Sequence, residues 1–228
     1  MNDDLKSGAL QRVAVWDLPV RIFHWLLLVL VAFSWWSGKA GGNAMQYHLW
    51  SGYAILTLIF FRITWGFCGS SSARFAQFLR GPGAVMRYLR TLPERRSGGH
   101  LGHNPLGGLS VLLLLACLSV QAASGLFAND DIATEGPLAG LIRKSTSDFL
   151  STVHAYNFYV LLALVTVHVL AVLFYLFYKS DNLIAPMLTG YKWRRPDETA
   201  QTPQNGSNRL AVVILAAAAG AVYLIVRQ

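Results

Sequence analysis

Runs free of Asp, Glu, Lys and Arg divide the chain into five apolar stretches, at residues 22–38, 40–61, 104–129, 149–178 and 210–226. A helix needs about 20 predominantly apolar residues to cross a hydrocarbon core of ~30 Å. The third and fourth stretches exceed that length. The first and last, 17 residues each, reach it with snorkelling ends such as Arg21 and Arg227. The first stretch has no small-residue cleavage site and carries Trp35-Trp36 as an aromatic anchor, so it reads as a span rather than a signal peptide. The pattern predicts an all-α integral membrane protein: a four-helix transmembrane bundle plus a fifth, C-terminal transmembrane helix. The bundle is expected at residues 1–192, a Pro-, Gln-, Asn- and Ser-rich linker at 193–209 and the extra helix at 210–228.

Composition agrees. Hydrophobic residues make up 54% of the 228 and charged residues only 13%, with a mean hydropathy of +0.41. A soluble domain is about a quarter charged, so this chain cannot cover a water-exposed surface. The net charge of +8 then marks a membrane face rather than nucleic acid, because surplus Lys and Arg collect on the cytoplasmic side beside anionic lipid headgroups. With the N-terminus inside, the inner segments hold 14 of the 19 Lys and Arg. Lys39, Arg143, Lys144 and Arg227 are outside and Arg62 stands at the inner end of the second span. The N-terminus is therefore expected in the cytoplasm and the C-terminus outside.

Two connections carry a further signal. Residues 73–92 interleave Phe75, Phe78, Leu79, Val85, Met86 and Leu89 with Arg80, Arg87 and Arg90, broken at Gly81-Pro82. This reads either as an interfacial amphipathic segment or as a solvated basic loop that enforces topology. The two cysteines, Cys68 and Cys117, form no CxxC or CxxCH, which excludes zinc ribbons and covalent haem attachment. They fall at different depths and read as packing residues.

Four of the six histidines, His24, His48, His154 and His168, lie inside predicted spans, where ionisable side chains are costly. One such histidine would need no more than a hydrogen bond across a helix interface. Four with matched depths ask for more. His154 and His168 are 14 residues apart, which leaves them about 40° from eclipsed on one helix face and ~21 Å apart along its axis. From His24 the first span climbs ~20 Å to Ser37 before the chain turns and descends through His48. The histidines thus pair by depth, His24 with His168 inside and His48 with His154 outside. Two imidazoles alone make a poor zinc site, whereas haem supplies four equatorial nitrogens and needs only two axial ligands. Bis-imidazole ligation favours electron transfer over oxygen binding. Ser51, Gly52, Ala155 and Ala163 leave room for a flat macrocycle, and are equally expected in ordinary helix packing.

Other candidates follow from that reading. Arg21 and Lys179 on the inner side and Lys39 on the outer side are candidates for the haem propionates, or else are snorkelling cations. His100 and His103 lie in a Gly-rich inner loop. His100 reads as solvent-exposed, and His103, just before the third span, is the candidate for a quinone pocket. Arg143 and Lys144 are candidates for attracting a small anion.

The residues Val15-Trp16-Asp17-Leu18-Pro19 with Arg21-Ile22-Phe23-His24-Trp25 resemble the opening of bacterial cytochrome b561 proteins and of nickel–iron hydrogenase cytochrome b subunits. So do His48-Leu49-Trp50-Ser51-Gly52-Tyr53, Phe61-Arg62-Ile63-Thr64-Trp65-Gly66, Gly102-His103-Asn104-Pro105-Leu106-Gly107-Gly108 and Lys179-Ser180-Asp181-Asn182-Leu183. The resemblance runs from about residue 13 to 192. It implies a four-helix core in a bacterial inner membrane with two b haems, on whose ligand positions His24, His48, His154 and His168 fall. The fifth apolar stretch departs from that pattern. The resemblance further implies electron transfer between membrane quinone, ubiquinone or menaquinone, and a periplasmic partner such as a c-type cytochrome or a hydrogenase-like module. Some relatives resemble superoxide oxidases, an alternative in which the chain is itself an enzyme. A haem-free proton relay in a transporter is the third reading, and no broken helix or inverted repeat supports it.

Overall fold

A computed structural model describes residues 10–95, 101–194, 204 and 206–228. Lys6, Arg96, His100, Arg195 and most of the linker lie outside them. Eight α-helices follow in order: α1 Leu18–Ala40, α2 Met45–Cys68, α3 Phe75–Phe78, α4 Pro82–Arg90, α5 Pro105–Gly125, α6 Lys144–Phe177, α7 Ile184–Thr189 and α8 Asn208–Val226. Five of them, α1, α2, α5, α6 and α8, are long and apolar enough to cross a membrane. Between α1 and α2 the chain reverses through Gly41 (φ +64°) and Gly42 (φ +52°), a left-handed conformation that glycine adopts without steric cost.

Side-chain caps start three of the long helices. Asp17 caps α1, its Oδ1 accepting from the Val20 N–H at 2.9 Å, with Pro19 in the first turn. Asn104 caps α5 through the Gly107 N–H at 2.7 Å ahead of Pro105. Ser207 caps α8. Each cap satisfies an orphan backbone donor that lipid cannot.

Helix α2 is central. It packs on α1, α5 and α8, while α5 pairs with α6 and α4 lies on α5. Among the described residues α6 does not pack its backbone closely on α1 or α2. The core joins Ile55, Ile59, Leu115, Cys117, Leu118 and Leu161. A second cluster, at the end of the bundle where α1 begins, joins Val20, Phe61, Trp65, Ala73 and Ala211, so α8 is anchored to α2 through Ala211. The linker's end is pinned too, because Ser71 N–H donates to the Gln204 carbonyl at 3.1 Å and Gln204 N–H donates to Ser71 Oγ at 2.8 Å.

Several boundaries differ from expectation. Helix α2 continues through Arg62 to Cys68, and Arg62 is only 3% exposed. Its guanidinium donates to the Ala73 carbonyl at 3.2 Å and feels the Asp17 carboxylate, so a charge that ends an apolar run does not end the helix. Helix α6 begins at Lys144, whose ammonium pairs with Asp148 one turn on and with Asp131 in the preceding loop. The chain is also not wholly α. Strands β1 Gln11–Ala14 and β2 Tyr191–Arg194 form an antiparallel ribbon pairing Gln11 with Arg194 and Ala14 with Tyr191. The 73–92 segment forms α3 and the amphipathic α4, separated at Gly81-Pro82, with Arg87 and Arg90 in the last turn of α4. Both cysteines are free thiols.

Asp17 ties the inner end together, since its Oδ2 also accepts from Trp65 Nε1 at 3.0 Å and Trp65 is fully buried. Asp17→Ala should destabilise the chain by roughly 2–4 kcal/mol, combining a lost cap with an orphaned indole N–H. Asp17→Asn keeps one acceptor and should lose about half as much. Thermal melts in detergent measure both.

Candidate functional site

The α1–α2 hairpin and α6 bring four histidines into two pairs. The ring centroids of His24 and His168 are 6.4 Å apart, with planes at 51°. Those of His48 and His154 are 6.0 Å apart, with planes at 82°. All four rings are half-buried. Two imidazoles on opposite sides of one metal ion, with bonds of about 2 Å, place their centroids roughly 6 Å apart. Both pairs therefore fit a shared metal as axial ligands. Among the described residues no three His, Cys, Asp or Glu side chains converge as a metal site.

The outer pair is held by hydrogen bonds. His48 Nδ1–H donates to the Ser34 carbonyl at 2.8 Å, with Ser34 Oγ 3.2 Å away. His154 Nδ1–H donates to the Gln121 carbonyl at 2.9 Å, with Ser124 Oγ at 3.4 Å. A helical carbonyl accepts its own ladder bond from four residues on, and in both cases that residue is glycine. A Cβ on Gly38 would stand 2.8 Å from His48 Nδ1, and one on Gly125 would stand 2.9 Å from His154 Cε1. The glycines open the carbonyls to the imidazoles. Gln121 also donates its amide to the His154 carbonyl at 3.0 Å and accepts from Asn157 Nδ2 at 2.7 Å, and Asn157 reaches the Cys117 carbonyl at 3.0 Å. These polar bonds stitch α5 to α6 at the level of His154. In each outer imidazole Nε2 is left free for a metal.

The inner pair has no such frame. His24 Nδ1 is buried and unpartnered among the described residues, and His24 meets Trp25 edge-on at 5.0 Å. Nearby, His103 is enclosed by Trp16 at 4.6 Å and Phe78 at 4.4 Å, with Nδ1 buried and unpartnered. Burial above all, then the positive Arg62 and the neighbouring His168, push its pKa down to about 3. His103 is therefore neutral at pH 7, with one ring nitrogen a donor and the other an acceptor.

The structure parts from several expected roles. Lys179 is buried, and its ammonium donates to the carbonyls of Thr91 at 3.1 Å and Glu94 at 2.6 Å. It clamps the end of α4 rather than standing free for a propionate, because a buried ammonium takes the nearest acceptors. Arg21 is half-buried and its guanidinium donates to the carbonyls of Met187 and Leu188. Lys39 is exposed in the last turn of α1. Arg143 is exposed, but Lys144 is neutralised between Asp131 and Asp148 and so is a poor lure for anions. Gly52 has open space where a Cβ would stand. Sequence reasoning missed Ser34, Gly38, Gln121, Gly125 and Asn157. Gln121 and Asn157 carried a signal, as polar side chains within apolar spans.

Membrane-length helices facing one another through paired imidazoles define a helical membrane protein with its polar chemistry concentrated on histidine. The chain belongs to the prokaryotic cytochrome b561 family, whose model matches residues 15–190. The matched stretch starts and ends where Val15 N–H donates to the Gly190 carbonyl at 2.8 Å, and α8 lies beyond it. Membership implies b-type haem and transmembrane electron transfer. Neither the curated proteins nor the solved structures contain a match to the chain.

Because the glycines admit the outer hydrogen bonds, Gly38→Ala or Gly125→Ala should perturb only one of the two histidine pairs. Reduced-minus-oxidised spectra should show one b-type component broadened or lost while the other is unchanged.

Proposed function

We propose that the chain carries electrons across a bacterial inner membrane through two bis-histidine b haems, between a periplasmic redox partner and membrane quinone. The observation that supports this most strongly is the pair of facing imidazoles at each of two depths, 6.4 Å and 6.0 Å between centroids. His24 and His168 would hold the inner haem, and His48 and His154 the outer. Haem held by these histidines would supply a one-electron iron couple. The protein's own part is to fix the rings, through Ser34 and Gln121 at the outer pair.

The N-terminus is on the cytoplasmic side and the C-terminus is periplasmic in this reading, as the excess of Lys and Arg on the inner segments supports. Lys39, exposed at the outer end of α1, is the remaining propionate candidate. On the inner side, neutral His103 between Trp16 and Phe78 offers a quinone headgroup one hydrogen-bonding nitrogen beside two aromatic walls. A superoxide:quinone oxidoreductase needs an anion lure outside, and the pairing of Lys144 leaves Arg143 with little support. The haem-free relay has no support in a family that implies b-type haem.

A pyridine haemochrome assay should give two haems per polypeptide, all extractable by acidified acetone, since no CxxCH tethers them. His24→Ala and His168→Ala should remove one spectral component, and His48→Ala and His154→Ala the other. One haem per chain, or loss of the same component from His24→Ala and His48→Ala, contradicts the reading. Deleting residues 197–228 should leave both components and lower the melting temperature, because it uncovers Trp65. Superoxide-driven quinone reduction by the isolated chain would favour the enzyme instead.

A further inference from the structure

We infer that the unequal hydrogen bonding of the two histidine pairs sets the outer centre at the lower potential, which makes transfer from the outer to the inner centre the downhill step. This rests on the two-haem reading above and supplies what that reading leaves open, the order of the two potentials.

A ligand imidazole that donates its far N–H to a carbonyl becomes a more basic ligand. A more basic axial ligand stabilises the ferric over the ferrous ion and lowers the potential. Both outer histidines make that bond, His48 to Ser34 at 2.8 Å and His154 to Gln121 at 2.9 Å. At the inner level His24 Nδ1 has no acceptor among the described residues, and no hydrogen bond joins the His168 ring to them. Two bonds stand against none, in a region of low dielectric where each counts for more than in water.

Nearby charges act in the same direction or cancel. At the outer end of α6, Asp131 and Asp148 share a single Lys144, an anionic excess that favours the ferric state. This effect is weakened because all three are solvent-exposed. At the inner level the buried Arg62 is opposed by Asp17, which leaves little net field. The hydrogen bonds therefore decide the order.

The electron balance is simple. A one-electron donor at the outer face is oxidised for each electron admitted. A quinone at the inner side takes two such electrons and two protons from the inner aqueous phase to become quinol. Gln121 is a positioning residue in this scheme, because its side chain bonds to the His154 carbonyl and Asn157 hold its own carbonyl against His154.

The test is an optical redox titration of the full haem-loaded chain in nanodiscs. Two waves are expected, and His154→Ala should remove the lower one while His168→Ala removes the upper one. Gly125→Ala and Gln121→Leu, which displace or loosen the His154 bond, should move the lower wave upward and leave the upper wave in place. Should these variants fail to fold, the wild type answers alone through EPR spectra of samples poised across the titration. Nearly perpendicular imidazole planes leave two iron d orbitals almost degenerate and give the more anisotropic ferric signal, which the 82° outer pair should carry against 51° inside. That signal should be the last to disappear on reduction. Its disappearing first, coincident waves, or an upper wave that moves with Gly125→Ala would overturn the assignment of potentials. A single haem per chain would instead refute the two-haem reading beneath it.

Discussion

The spacing of 14 residues between His154 and His168 on one helix is the constraint on which the architecture depends. Residues 154, 161, 168 and 175 fall along one stripe of α6. Leu161, midway, is buried in the core, and Tyr175 at the inner end accepts from Asn104 Nδ2 at 2.9 Å and pairs with Tyr88. Meeting both histidines from one side requires a partner that offers imidazoles at the same two depths. A single straight helix could do so only by repeating the spacing. The chain uses a hairpin instead, with His24 low on α1 and His48 at the top of α2, and the reversal through Gly41 and Gly42 sets their relation. Because α6 meets the hairpin through side chains rather than close backbone packing, its support comes from α5.

That division of labour explains where polar groups are allowed. In hydrocarbon every donor and acceptor must find a partner within the protein. Gln121 and Asn157 are tolerated because their bonds join α5 to α6. At the inner end Asp17 is shared between the α1 cap and Trp65, and lies close enough to Arg62 to offset its charge. The ribbon of β1 and β2, with Val15 and Trp16 both donating to the Gly190 carbonyl, ties the start of α1 to the chain that leaves α6. The inner boundary is thus closed by backbone and carboxylate bonds, and His103 is left inside it with an unpartnered nitrogen.

Much of this was legible in the sequence. Five spans, the helix breaks at Gly81-Pro82 and the depth of four histidines follow from periodicity, length and spacing, which act along one helix at a time. Boundaries that depend on tertiary partners were not legible. A rule that ends a span at a charge places the end of α2 at Phe61, because nothing local shows that Asp17 and the Ala73 carbonyl receive Arg62. Lys144 likewise looks like a loop cation until Asp148, one turn on, and Asp131 are seen to hold it. Lys179 looked free because Thr91 and Glu94, its acceptors, are more than eighty residues away in the chain. The ribbon escaped notice because each strand has only four residues, too few for a period of two to stand out.

Gly38 and Gly125 show most clearly why a site can be written in a sequence and still go unread. Glycine in a membrane helix is ordinarily a packing residue, and the Ser-Gly step that the two share, Ser37-Gly38 and Ser124-Gly125, does not by itself name an imidazole partner. Their role appears only when each is paired with the carbonyl four residues earlier and with an imidazole from another helix. The Gly38 and Gly125 N–H groups are the regular ladder donors to the Ser34 and Gln121 carbonyls, and Ser37 Oγ and Ser124 Oγ donate to the same carbonyls at 3.1 Å, yet a missing Cβ leaves room for an imidazole donor as well. The device recurs on α1 and α5, each time at a Ser-Gly step, Ser37-Gly38 and Ser124-Gly125, and no bond of this kind holds the His24 ring among the described residues. A feature required by packing alone would not be confined to the outer pair. Its confinement there makes the difference between the two histidine pairs a property of the scaffold.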